Sequence, residues 1–183
     1  MKSVLSSVFT VILTVLTVLG NPLPSFAGAL LPVDVTSYRV SDIAVLPGLK
    51  GVFAGQQPDG IGVSDGHLAS CPASPNCVVS QGADEEHAIA PITYTGDRAT
   101  ARASLIAILG VVPRTEIVSQ SDSYILAKSE SRLMGFIDDT EFYLPEDEKV
   151  IQMRAAARMG ESDLGVNRRR LEQIRLAFAD LGS

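Results

Sequence analysis

The chain has 183 residues, with 15 Lys and Arg against 21 Asp and Glu and a formal charge of −6. That length suits one domain. The acidic balance repels phosphate backbones and so excludes nucleic acid as a partner.

The first segment has the composition of an export signal. Lys2 supplies a positive start, Val4 to Leu19 is apolar, and Pro22 and Pro24 follow. Ser25-Phe26-Ala27 places small residues where a signal peptidase reads them, so cleavage is expected after Ala27. The apolar run is short for a membrane span of about 20 residues, so no transmembrane segment is expected in the mature chain. No cysteine lies near the cut, and no arginine pair precedes the run, which points to the general export route. Losing Lys2 and no acid brings the mature chain to −7 from the −6 of the whole.

Residues 28–66 show no sustained period and are rich in Gly and Pro, so they are expected to be an irregular N-terminal extension. Ile43, Val45, Leu46, Leu49, Val52 and Phe53 give part of it a docking surface, for its own domain or for a partner. Residues 67–183 are expected to be a single α+β domain. Residues 67–96 read as a loop. A helix follows, capped by Asp97, with Ala99, Ala103, Ile106 and Leu109 on one face and Gly110 and Pro113 ending it. Strands are expected near 114–120, 123–131, 134–144 and 149–159. In the last of these, Ile151, Met153, Ala155, Ala157 and Met159 share one face, and Arg154 and Arg158 the other. Leu171, Ile174, Phe178 and Leu181 form an amphipathic stripe for a closing helix, with Asn167 or Asp163 as its cap and Gly182 at its end. The order predicts an antiparallel sheet of about four strands in a meander, with two main helices packed on one face.

Three features can carry chemistry. Cys71 and Cys77 bracket a loop containing Pro72, Pro75 and Asn76. In an exported protein such a pair reads first as a disulfide. A redox pair is a weaker reading, because the spacing is wider than in thioredoxin-like motifs. So is a zinc site completed by His67 and His87, because the spacing fits no zinc pattern and oxidation removes thiolates. Either histidine reads as an exposed loop residue. Next, Asp138, Asp139 and Glu141 on one strand can meet Arg154 and Arg158 on the following one. Alternation places Asp138 with Met134, Phe136 and Phe142, so it is expected to be a buried acid that needs a partner. This acid–arginine set reads as a structural salt-bridge network or, with a cleft, as a ligand site. Finally, Asp163, Asn167 and Arg168 lie where Arg168-Arg169-Arg170 opens a helix, a position the dipole disfavours for cations, so the arginines are expected to pair with the domain's own acids or, as the weaker reading, to bind an anion or acidic partner. One connected network of Asp138, Arg154, Arg158, Asp163 and Arg168 is the expectation. No catalytic residue, metal or cofactor is expected.

These motifs together resemble the family catalogued as domain of unknown function 1499. The resemblance rests on Cys71-Pro72 to Cys77 with Val78-Val79-Ser80-Gln81, His87 and Pro91, then on Phe136-Ile137-Asp138-Asp139-Thr140-Glu141-Phe142. Arg154 to Arg158 and Ser162-Asp163-Leu164-Gly165-Val166-Asn167-Arg168 complete it, across roughly residues 67–181. Phe53-Ala54-Gly55 and Gly62-Val63-Ser64-Asp65-Gly66 resemble the cyanobacterial and plastid versions, which implies the thylakoid lumen or periplasm. Where the family usually carries serine, this chain has Val79, Ala155 and Ala157, which argues against a serine-based reaction. The family has no agreed activity. The expectation is therefore an exported, non-catalytic accessory protein that binds a protein complex at a photosynthetic or cell-envelope membrane. The alternative is a small-ligand binder or hydrolase using the acid–arginine cluster.

Overall fold

The computed structural model describes Leu46 and residues 48–182. The expected signal sequence at 1–27 and the extension as far as Val45 lie outside the described residues. Among the described residues no helix is long and apolar enough to cross a membrane.

The elements in chain order are β1 (Val63–Ser64), β2 (His67–Leu68), β3 (Cys77–Val79), β4 (Ile92–Thr93), α1 (Arg98–Leu109), β5 (Thr115–Gln120), β6 (Tyr124–Glu130), β7 (Ile137–Tyr143), β8 (Val150–Ala157) and α2 (Val166–Asp180). The fold is α+β, with β5 to β8 as the predicted antiparallel meander. The main sheet has six strands rather than about four, in the order β3-β8-β7-β6-β5 with β4 also on β8. The two additions are short. β3 pairs Val78 with Ala155, and β4 pairs Ile92 with Ile151, so both lie along one flank of β8. Strands of two and three residues carry too little alternation to announce themselves.

A separate hairpin joins β1 to β2 across residues 63–68, spanning the expected boundary at 66. Its turn is Asp65-Gly66, both at positive φ (51° and 77°), the pairing a type I′ turn requires.

Both helices lie on one face of the sheet. Asp97 caps α1 by accepting a hydrogen bond from the Thr100 amide at 2.8 Å. The buried stripe of α1 is Ala101, Leu105, Ile108 and Leu109, not the expected Ala99, Ala103, Ile106 and Leu109. The observed stripe holds the larger side chains, and volume decides which face fills a core. Leu171, Ile174 and Phe178 of α2 pack as predicted in one core with Ile125, Phe142, Met153 and Ala155 of the sheet, whereas Leu181, the fourth residue of the predicted stripe, lies past the helix end and is exposed. Gly182 follows α2 at φ 67°, with its amide on the Ala179 carbonyl.

One defect lies in this core. Thr140 faces the helices, opposite Ala155 on β8, and its hydroxyl is buried without a hydrogen-bond partner. An unmade buried hydrogen bond costs about 1–3 kcal/mol. Thr140→Val should therefore raise the denaturant midpoint, and a lower midpoint would show that the hydroxyl is satisfied in solution.

Candidate functional site

The β7–β8 register decides where the charges go. Asp138 pairs with Ala157, Asp139 with Ala156, and Glu141 with Arg154. Asp139, Glu141, Arg154 and Arg158 therefore share the face away from the helices, and Asp138 alone faces them. The expected single network does not form, because the sheet itself separates Asp138 from Arg154 and Arg158.

On the helix-free face, Arg158 donates to both oxygens of Asp139, from Nε at 2.8 Å and Nη2 at 2.7 Å. Arg154 donates to Glu141 Oε2 at 2.9 Å. The other Glu141 oxygen accepts from the Gly62 amide at 2.7 Å and the Tyr124 hydroxyl at 2.8 Å. Asp139 and Glu141 are fully buried and Arg154 nearly so. Burial and the neighbouring Glu141 charge push the Tyr124 hydroxyl far up, so it stays protonated and donating. The bidentate contact with Asp139 raises the already high value of Arg158.

The cover over these pairs comes from the N-terminal segment. Phe53 meets Phe136 with ring centroids 5.0 Å apart, and the Leu46 amide reaches the Leu133 carbonyl. Gly55 passes so close that a Cβ there would lie 2.8 Å from Arg158 Cβ and Met159 Cγ. With φ at +64°, that position needs glycine twice over.

On the helix face, Asp138 accepts from Arg170 Nη2 at 2.8 Å. Arg170 also donates to Asn167 Oδ1, Asn167 Nδ2 donates to the Asn76 carbonyl, and Asn76 Nδ2 donates to the Gly160 carbonyl. Burial pushes the Asp138 carboxyl up, and Arg170 pulls it back only in part. Asp163 takes the amides of Gly165 and Asn167 at 2.9 and 2.7 Å, so it caps α2 while Asn167 points into this chain of bonds. Arg168 joins no acid; it donates to the carbonyls of Glu86 and Ala88. Sequence reasoning missed the roles of Arg170 and Asn76 on this face and of Tyr124 and Gly62 on the other. The stripe of α2 carried back by fours and threes from Ile174 reaches Arg170 and Asn167, which was the available signal.

Asn76 belongs to the loop closed by the Cys71–Cys77 disulfide, whose Cα atoms are 5.6 Å apart. His67 bonds the Asp65 carbonyl, and among the described residues no group of His, Cys, Asp and Glu could hold a metal. His87 is not an exposed loop residue. It is buried, with Nδ1 2.8 Å from Asp84 and Nε2 3.3 Å from the Ser74 carbonyl. The contact with Asp84 holds the His87 imidazole pKa above its ordinary value, while the His87 amide, and then the ring, lower that of Asp84.

Between the start of β7, the end of β8 and the 159–166 loop lies a cleft of about 220 Å³. Phe136, Met159, Leu164 and Val166 give it apolar walls, and Asp138 and Asp163 also line it. Leu164 is 83% exposed and stands at φ 54°, a conformation that side chains other than glycine and asparagine seldom adopt.

Two outcomes follow. In double-mutant cycles, Asp139 with Arg158 and Asp138 with Arg170 should each show strong coupling, since stranding one member of a buried pair costs about 3–5 kcal/mol. Asp138 with Arg158 should be additive, and strong coupling there would contradict the two-face arrangement. For His87, a raised folded value means its stabilisation is complete below the unfolded value near 6.5 and is lost as pH rises through the folded value. The gap in unfolding midpoint between wild type and Asp84→Asn should therefore narrow above about pH 6.5; a gap that widens there would refute the pairing.

No curated protein and no solved structure matches the chain. The sequence model of one family, described as "Protein of unknown function (DUF1499)", matches residues 67–178. That span takes in the disulfide loop, the charged strands β7 and β8 and nearly all of α2, so the chain belongs to this family.

Proposed function

We propose that this is an exported, non-catalytic accessory protein of the thylakoid lumen or periplasm, which binds a protein partner at a photosynthetic or cell-envelope membrane through the cleft beside Leu164. The observation that carries the reading is the contrast between the charges and the cleft. Asp139, Glu141, Arg154 and Arg158 are bonded to one another, to Tyr124 and to Gly62 beneath a covering segment. Of this set, the described structure leaves only the Arg154 Nε buried without a partner, and the other contacts hold the fold together. The cleft, by contrast, opens to solvent between apolar side chains, with Met159 and Leu164 exposed at it. Exposed apolar patches rimmed by polar groups mark interaction surfaces.

The lining of the cleft favours this reading over the alternative, a small-ligand binder or hydrolase. Its walls are mostly apolar, and its 220 Å³ accommodates one apolar side chain of a partner. Asp138, which lines it, is committed to Arg170.

Tagged protein recovered from solubilised membranes should carry a stoichiometric partner, and Leu164→Asp should lose that partner without lowering the melting temperature. Wild-type protein recovered alone at every salt concentration would sink the proposal.

A further inference from the structure

We infer that the partner segment received by the cleft is acidic: an apolar anchor residue flanked by Asp or Glu. This inference rests on the protein-binding reading of the cleft and specifies its chemistry. A second groove, of about 360 Å³, runs beside the cleft, and Ser131 and Val166 line both, so the two form one continuous depression. The second groove is basic. Arg114, Arg132, Arg169 and Arg170 border it, against the single acid Glu130. Arg170 is neutralised by Asp138. Among the described residues, Arg114, Arg132 and Arg169 make no ion pair. The whole chain carries −6, so a groove with unpaired arginines runs against the net charge of the molecule.

The two halves are mechanically joined. Arg169 Nη1 donates to the Leu164 carbonyl at 2.8 Å, so the guanidinium that would meet a carboxylate also holds the exposed leucine. Arg114 stands at φ 54°, as Leu164 does, with its Nε on the Glu130 carbonyl. Among the described residues, two of the three non-glycine residues at positive φ therefore border this one depression. Backbone strain of that kind persists where the surroundings over-determine it, and it clusters at binding sites.

Carboxylates suit such arginines because a planar guanidinium takes them in paired hydrogen bonds. An anionic membrane surface is the competing source of negative charge. It is disfavoured by the acidic remainder of the molecule.

The test is selection of short random peptides on the immobilised exported chain, with wild type, Leu164→Asp and Arg132→Glu run in parallel. Arg132 is exposed and bonds no other described residue, so its charge reversal leaves the fold intact, as a melting curve would verify. Wild type should enrich peptides with an apolar residue flanked by acids. Arg132→Glu should weaken those peptides about tenfold or more, and added salt should weaken them further. Leu164→Asp should enrich none. Apolar-anchored peptides without acidic flanks, lost on Leu164→Asp, would overturn the acidic inference and leave the protein-binding reading standing. No Leu164-dependent peptide at all would overturn both. Binding to phosphatidylglycerol vesicles that is lost in Arg132→Glu, with no peptide enriched, would assign the groove to a membrane and overturn both.

Discussion

Two adjacent aspartates, Asp138 and Asp139, are both buried, and the pleat of β7 sends them to opposite faces of the sheet. A buried carboxylate needs a cation and further donors on its own side. The molecule must therefore close both faces with groups that can supply them. On one face, α2 brings Arg170 down to Asp138 and ties that contact through Asn167 to the disulfide loop. On the other, Arg154 and Arg158 supply the cations, while Gly62 and the segment before it exclude water. The N-terminal segment is thus part of the fold's electrostatics and not a tail added to a finished domain.

How much of this was legible depends on range. The meander, the closing helix and the opposite orientation of Arg154 and Ile151 follow from periods of two and 3.6, which are local. The choice of partner for Asp138 was not local. Arg158 is nearer along the chain, but an even period sends it away, whereas Arg170, a full loop later, lies on the buried stripe of α2. The turn Asp65-Gly66 carried a readable hairpin signal inside a stretch whose glycines otherwise suggest only irregularity. The docking of Gly55 over Arg158 had no such signal, because a missing side chain shows its purpose only when the neighbour it admits is known.

The arginine triplet at the start of α2 shows how an unfavourable position is tolerated. The helix dipole opposes cations there, yet each guanidinium leaves the helix end for an oxygen elsewhere. Arg168 takes the Glu86 and Ala88 carbonyls, Arg169 the Leu164 carbonyl, and Arg170 the Asp138 carboxylate. The three side chains thereby link the helix to the loop that precedes it, to the 84–88 loop and to the sheet.

The two flanks of the sheet differ in what they offer another chain. Along β8, both β3 and β4 occupy the backbone hydrogen-bonding positions, so that side is already extended by the protein's own strands. The opposite flank is β5, whose register shifts between Ile117 and Ser119. Irregularity of that kind turns a free strand away from its neighbours and discourages edge-to-edge addition. Neither margin of the sheet therefore presents a long, regular strand edge for another chain to extend: one ends in strands of two and three residues, the other in a strand with a broken register.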